Sequence, residues 1–223
     1  MKKRNILAVM LVLTMLFTLA GCGNSSSDAD NNENSQTTIS NQNIEDRTTE
    51  EAASQEANNK SESSGKTLVV YFSYSGNTKQ VAENIQQKLG ADIFEIKTVK
   101  EYSSDYNTVV DEAQEELNDN ARPELSTTLD NIEQYDTVII GYPIWWGDMP
   151  MAVYTFLDTY DLSGKTIAPF CTHGGSGLSG TDDNIRQEEK DANVLEGMAI
   201  SDSSIDESDS DVEEWLSECG ISQ

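Results

Sequence analysis

Apolar positions between residues 67 and 220 follow two alternating patterns. Short apolar runs such as TLVVYFSY, which begins at Thr67, favour buried β-strands. Other segments repeat apolar residues every three or four positions, which favours helices. The pattern predicts strands at 67–74, 91–97, 136–141, 165–172 and 192–200. It predicts helices at 78–89, 106–117, 151–158, 181–190 and 210–219.

This alternation of strands and helices predicts an α/β fold. Such an order is typical of a parallel sheet with helices on both faces, connected by right-handed crossovers. We expect a doubly wound five-stranded parallel sheet of order 2-1-3-4-5. Ligands bind such sheets beyond the carboxyl ends of the strands, at the switch point between the first and third strands. Three loops should meet there, at residues 73–78, 142–149 and 172–180.

The first loop, residues 73–78, reads Ser-Tyr-Ser-Gly-Asn-Thr and leads into a predicted helix. A helix N-terminus presents unpaired backbone N–H groups, and hydroxyls add further donors, so the loop suits a phosphate. Gly76 allows the backbone a close approach to a ligand. The loop matches neither the G-x-x-x-x-G-K-[ST] nor the G-x-G-x-x-G motif. The alternative is an ordinary strand–turn–helix junction in which Asn77 or Thr78 caps the helix.

The second loop, residues 142–149, contains the adjacent pair Trp145 and Trp146. Neighbouring residues of a regular element point in different directions, so at least one indole should face the crevice. An indole in that position is a stacking platform for a flat ring, while the other would pack against the domain. The alternative is that the pair only fills the core.

The third loop, residues 172–180, begins Thr-His-Gly-Gly-Ser-Gly. Three glycines in four positions indicate a close backbone approach or positive φ angles. His173 is the only histidine of the chain, and it either contacts the ligand or faces solvent. A single histidine is poor material for a zinc site, and we predict neither a metal nor an acid–base catalytic residue. Together the three loops suit a flat ring with a phosphorylated side chain.

The three loops also resemble those of a known family. YFSYSGNT, GYPIWWGDMP and APFCTHGGSG are similar to the flavin-contacting loops of the flavodoxin-like family, in particular its small bacterial branch with YPIWWG and GGSG signatures. NARPEL at 120–125 and the ending VEEWLSECGI resemble the same branch, so the resemblance covers about residues 66–223. It implies a flavodoxin-like fold that binds FMN non-covalently.

The resemblance also implies a role for each matching position. The implied phosphate ligands are Ser73, Ser75, Gly76, Asn77 and Thr78. The residues implied to flank the isoalloxazine are Pro143, Ile144, Trp145 and Trp146. Those implied to line its other edge are Thr172, Gly174, Gly175 and Ser176.

The chain begins with a predicted targeting segment. Residues 1–21 have a basic start and an apolar stretch of 15 residues, Ile6 to Ala20, which is shorter than the roughly 20 residues that span a bilayer. The stretch ends LAGC, which resembles the lipobox of bacterial lipoproteins and implies that Cys22 is lipidated. The alternative is ordinary secretion, with Cys22 a chance residue. Residues 22–66 are acidic and rich in Ser and Asn, so we expect a disordered tether. The folded domain should occupy residues 67–223.

Charge and cysteine content narrow the function further. The net charge is −26, and without the three basic residues at positions 2–4 only 11 Lys and Arg face 40 Asp and Glu. Such a chain repels nucleic acid and anionic lipid, and it would attract basic protein patches or cations. The alternative is that the acidity only keeps a secreted protein soluble. We expect Cys171 and Cys219 to be unpaired, because the fourth strand and the last helix end on opposite sides of the sheet.

The sequence therefore favours an FMN-binding electron-transfer protein that is tethered by its lipid to a bacterial membrane, outside the cytoplasm. We expect its partner to be a redox protein, for which a basic patch would be a suitable docking feature, and we expect it to touch the membrane through the lipid anchor alone. One alternative is an NAD(P)H-dependent quinone reductase, although no second dinucleotide motif is present. Another is a surface binding lipoprotein that kept the fold and lost the flavin.

Overall fold

The computed structural model describes residues 65–222. The predicted targeting segment, the predicted lipidation site Cys22 and the predicted tether up to residue 64 lie outside the described residues. Within the described part, no helix is both long enough and apolar enough to cross a membrane.

Residues 65–222 form six strands and five α-helices. The strands are β1 (Thr67–Tyr71), β2 (Asp92–Glu95), β3 (Thr137–Pro143), β4 (Thr166–His173), β5 (Asn193–Val194) and β6 (Met198–Ser201). The helices are α1 (Asn77–Leu89), α2 (Tyr106–Asn118), α3 (Met151–Thr159), α4 (Thr181–Glu188) and α5 (Asp209–Glu218). Two 3₁₀ turns, Ile132–Gln134 and Asp202–Glu207, connect them.

The sheet is parallel, with the strand order β2-β1-β3-β4-β5. The predicted α/β fold and strand order are confirmed. Tyr71 pairs with Gly141, and Gly141 pairs with Phe170, so β1, β3 and β4 present their carboxyl ends along one edge.

The predicted fifth strand is interrupted. Ile167 pairs with Val194, whereas Phe170 pairs with Met198, so the edge strand holds one more residue than β4 between these pairs. The Leu195 N–H donates to the Ile167 carbonyl at 2.8 Å. Pro169 lies two residues further along β4, so its backbone faces the same neighbouring strand, but it has no N–H to donate. The result is a bulge that separates β5 from β6.

Helices cover both faces of the sheet. Buried residues of α1 and α5, such as Val81 and Val212, pack on one face with Val69 and Phe170. The opposite face carries α3 and α4, together with the alternate strand residues. Successive side chains of the buried strands therefore point alternately into two separate hydrophobic cores, one on each face of the sheet.

The two cysteines of the domain lie on different faces. Cys171 packs in the core beneath α3 and α4, whereas Cys219 packs on the side of α1 and α5. Both are free thiols, so the expectation that they are unpaired is confirmed.

Candidate functional site

A cavity of about 540 Å³ opens at the carboxyl edge of the sheet, within the range of about 300–1,000 Å³ typical of small-molecule sites. The three predicted loops meet there, and α2 and the residue that follows β6 complete the wall. The lining residues are Tyr74, Ser75, Tyr106, Val109, Val110, Ala113, Pro143, Ile144, Trp145, Trp146, Thr172, His173, Gly174 and Asp202.

The first loop brings a helix N-terminus to this cavity. Gly76 takes a φ of 97°, which lets the chain turn sharply into α1. The first N–H to bond back along the helix is that of Gln80, to the Gly76 carbonyl at 3.0 Å. The Lys79 N–H donates to the Ser73 hydroxyl at 3.2 Å. The amides before Lys79 are therefore directed out of the helix end, which is the arrangement that binds an anion.

A buried hydroxyl pair joins the first loop to the third. The Thr78 and Thr172 hydroxyl oxygens lie 2.8 Å apart, and each side chain is at most 2 % exposed. Thr172 lines the cavity, whereas Thr78 does not. The pair fixes the spacing of the two loops, because a buried hydroxyl without a partner would cost about 1–3 kcal/mol.

The second loop is a two-residue turn that closes on itself. The N–H groups of Trp145 and Asp148 donate to each other's carbonyls at 2.9 and 3.0 Å. Between them Trp146 and Gly147 have φ angles of 52° and 80°. Positive φ at both central positions is typical of a type I′ turn.

The Asp148 carboxylate anchors this turn. One of its oxygens accepts from the Met149 amide at 2.7 Å, the Tyr154 hydroxyl at 2.9 Å and the Asn184 side-chain amide at 3.0 Å. These bonds tie the second loop to α3 and α4. Burial, followed by the charge of this carboxylate, raises the pKa of Tyr154, which keeps the phenol a donor.

The two tryptophans have different surroundings. Trp145 contacts the edges or faces of Phe72, Tyr74 and Tyr102, with ring centroids 5.4, 5.8 and 5.2 Å away. Trp146 is 51 % exposed, and its indole N–H donates to the Val110 carbonyl of α2 at 3.0 Å. Trp145 is thus packed into an aromatic cluster, and Trp146 forms an open wall of the cavity.

The third loop places a histidine in the wall. The imidazole Nδ1 of His173 accepts from the Gly175 N–H at 2.9 Å, and Gly175 takes a φ of 133°. Because Nδ1 is the acceptor, the neutral ring carries its proton on Nε2. Beneath the loop, burial raises the pKa of the Cys171 thiol to about 12, so this cysteine stays a protonated thiol.

The cavity includes just over half of the predicted site residues. Those that line it are Ser75, Pro143, Ile144, Trp145, Trp146, Thr172 and Gly174. Those that belong to the same loops without lining it are Ser73, Gly76, Asn77, Thr78, Gly175 and Ser176.

Sequence reasoning missed one whole wall, contributed by α2. Tyr106, Val109, Val110 and Ala113 line the cavity, and they lie at the i, i+3, i+4 and i+7 positions of one helix face. This periodicity was visible in the sequence, but it does not say which surface the face covers. Tyr74, within the first loop, and Asp202, after β6, were also not predicted.

The described wall of the cavity has almost no charged side chains. Of the fourteen lining residues none is Lys or Arg, and the one carboxylate is that of Asp202. Its Oδ1 accepts from the Asn77 side-chain amide at 3.0 Å. Any anion held here therefore depends on backbone amides, hydroxyls and the dipole of α1.

Comparisons with known proteins agree with this architecture. The sequence model of the Flavodoxin family matches residues 66–219. A protein described as a flavoprotein from Bacteroides eggerthii is 33% identical, with a TM-score of 0.60 over 68% of this chain and 96% of its own. One from Bacteroides uniformis is 31% identical, with a TM-score of 0.62 over 69% and 98%. A Lactobacillus acidophilus flavoprotein, solved in complex with FMN, is 28% identical, with a TM-score of 0.55 over 64% and 97%. Among curated protein sequences none matches.

Proposed function

The chain belongs to the flavodoxin family. We propose that it binds FMN non-covalently in the cavity and transfers electrons. One observation supports this proposal most directly. The N-terminus of α1, which is rich in neutral hydrogen-bond donors, and the exposed indole of Trp146 meet in one cavity. The similar Lactobacillus acidophilus flavoprotein was solved with FMN, which supports this ligand.

The residues present fit FMN at both ends. The amides at the start of α1 and the hydroxyl of Ser75 would hold the phosphate. The wall formed by Trp146, Ile144 and the apolar face of α2 would cover the isoalloxazine, which is flat and has an apolar dimethylbenzene part. Trp146 offers the stacking surface, because Trp145 already has its partners in the aromatic cluster.

FMN, when bound, supplies the redox chemistry. The chain orients the ring, keeps water from one side of it and sets its electrostatic surroundings. Residues 65–222 carry 31 Asp and Glu against nine Lys and Arg, so added negative charge on the ring is disfavoured. The same surface would steer a partner protein with a basic patch.

We further propose that the protein works outside the cytoplasm, held to a bacterial membrane through lipid on Cys22. The support is the sequence alone: a basic start, a 15-residue apolar stretch and the lipobox-like LAGC. Two acyl chains would suffice for stable anchoring. The tether would leave the flavin domain free to meet its partner near the membrane surface.

A flavin titration tests the ligand. We expect the purified protein, stripped and then titrated with FMN, to show flavin absorbance and one bound FMN per chain. Failure to bind any flavin would favour the flavin-free binding lipoprotein instead. Rapid bleaching by NADPH with turnover of a quinone would favour a reductase over a carrier.

Fractionation tests the location separately. We expect wild-type protein to sediment with membranes and Cys22→Ser to be released, while Cys171→Ser, a cysteine change within the folded domain, should still sediment. Retention of Cys22→Ser in the membrane fraction would contradict a lipid anchor at this residue.

A further inference from the structure

A carboxylate lies beside the part of the cavity that suits a phosphate. Asp202 follows β6, and its Oδ1 accepts from the side-chain amide of Asn77, the first residue of α1, at 3.0 Å. Its Oδ2 lies 3.8 Å from the point that a Cβ on Gly174 would occupy. Asp202 lines the cavity together with Ser75 and Thr172. The negative charge is thus located between the first and third loops.

No Lys or Arg among the described residues that line the cavity compensates this charge. The fourteen lining residues include neither Lys nor Arg. Lys79, in the first turn of α1, is not a lining residue, and its ammonium lies 3.8 Å from the Glu83 carboxylate. A phosphate dianion at the start of α1 would therefore lie close to a carboxylate that no Lys or Arg of the wall neutralises. Two negative charges held close together repel each other.

From this geometry we propose that Asp202 is a specificity-determining residue of the flavin site. Its charge weakens the hold on the phosphate of FMN while leaving the contacts to the ring unchanged. The site therefore also accepts riboflavin, which lacks the phosphate. The charge of Asp202 makes the ratio of the FMN affinity to the riboflavin affinity smaller than it would be without this carboxylate. This inference rests on the proposed flavin function and adds to it the identity of the ligands.

The charge of Asp202 can be separated from its hydrogen bond. In Asp202→Asn the side-chain carbonyl can still accept from the Asn77 amide, so the contact between the loops is kept and only the charge is lost. Any change in phosphate affinity then reports electrostatics rather than a loosened loop.

The chain also provides a matched control. Asp206, in the same 3₁₀ turn, accepts from the Gln80 side-chain amide of α1 at 2.9 Å. This is the same kind of carboxylate–amide bond to the same helix, but Asp206 does not line the cavity. Asp206→Asn therefore removes the same charge from the molecule and keeps an equivalent bond away from the site.

The experiment is a titration of the flavin-free wild type, Asp202→Asn and Asp206→Asn with FMN and with riboflavin at low ionic strength. We expect Asp202→Asn to bind FMN about ten- to a hundredfold more tightly and riboflavin within about twofold of wild type. Asp206→Asn should change the ratio of the two affinities less than about threefold. Added salt should reduce the gain of Asp202→Asn, because salt screens charges that solvent reaches.

The outcomes distinguish the two proposals. If neither flavin binds to the wild type, the proposed flavin function is wrong. If both flavins bind but Asp202→Asn leaves their affinity ratio unchanged, or Asp206→Asn shifts it equally, the role of Asp202 is wrong. Weaker FMN binding by a folded Asp202→Asn variant, with an unchanged melting temperature, would also overturn it.

Discussion

Trp146 adopts a backbone conformation that bulky residues seldom take. Its φ of 52° lies in the left-handed region, where an ordinary L-residue costs roughly 1–2 kcal/mol. The first central position of a type I′ turn favours Asn, Asp or Gly. Strain of this kind persists where the surrounding structure imposes it, and it is concentrated at functional sites. At Trp146 the indole bond to Val110 holds the side chain against α2.

We expect Trp146→Asn to separate stability from ligand binding. Asn relieves the strained turn and loses one exposed hydrogen bond, so the free energy of unfolding should stay within about 1 kcal/mol of wild type. FMN affinity should fall about ten- to a hundredfold with the loss of the stacking surface, which is worth about 1–3 kcal/mol. Denaturant unfolding and a flavin titration measure the two effects.

Trp145 supplies the comparison for that experiment. Trp145→Ala removes a ring from the cluster of Phe72, Tyr74 and Tyr102, so stability should drop by about 3 kcal/mol. An unchanged FMN affinity in Trp146→Asn, with equal losses of stability in the two variants, would show that both indoles are structural and that Trp146 is not the stacking residue.

Among the secondary-structure elements, β3 and β4 depend on one glycine for their packing. Gly141 pairs with Phe170 on the neighbouring strand, and the fully buried ring of Phe170 lies over it. A Cβ on Gly141 would lie 2.0 Å from Phe170 Cζ, well inside contact distance.

Gly141→Ala should therefore destabilise the domain by about 2–3 kcal/mol, because the buried Phe170 ring must shift within a close-packed core. Gly174→Ala is the control, since its Cβ would meet only Asp202 Oδ2, at 3.8 Å, and stability should change little. Denaturant unfolding of both variants measures this. Adding Phe170→Leu to Gly141→Ala should recover part of the loss, and no recovery would mean that another contact causes it.

For the whole molecule, acidity makes stability depend on pH. Burial, followed by repulsion from Glu188, Asp158 and Asp161, raises the pKa of Glu189 from 4.5 to about 7. The folded protein therefore holds this proton more tightly than the unfolded chain does. The stabilisation is complete at a pH below about 4.5 and is lost as the pH rises to about 7.

Glu189→Gln should remove this part of the pH dependence. At pH 8 we expect it to raise the free energy of unfolding by about 1–2 kcal/mol, after allowance for the solvent that reaches this half-buried carboxyl. At pH 4 it should make little difference. Glu214→Gln, an exposed carboxylate of α5 that is not among the charges acting on Glu189, is the control, and an equal gain from it at pH 8 would mean that net charge alone is responsible.

The order of elements could be read from the sequence because it depends on local pattern. Buried strands appear as apolar runs and helices as periodic ones, so the α/β class and the strand order followed from residues 67–220 with little ambiguity. The residue types of the first and second loops likewise indicated a donor-rich turn and an aromatic wall, since a turn into a helix exposes its amides whatever packs around it.

Contacts between distant residues decided the rest. Pro169 breaks the edge strand only because that strand pairs with β4, and α2 forms a cavity wall only because the second loop folds against it. Which tryptophan packs and which stays open depends on three aromatic rings from other segments. Asn77 and Asp202 are 125 positions apart, and their bond forms because parallel strands end at one edge of the sheet. The sequence alone determined which chemical groups the loops contain. The tertiary fold determined which residue each of these groups contacts.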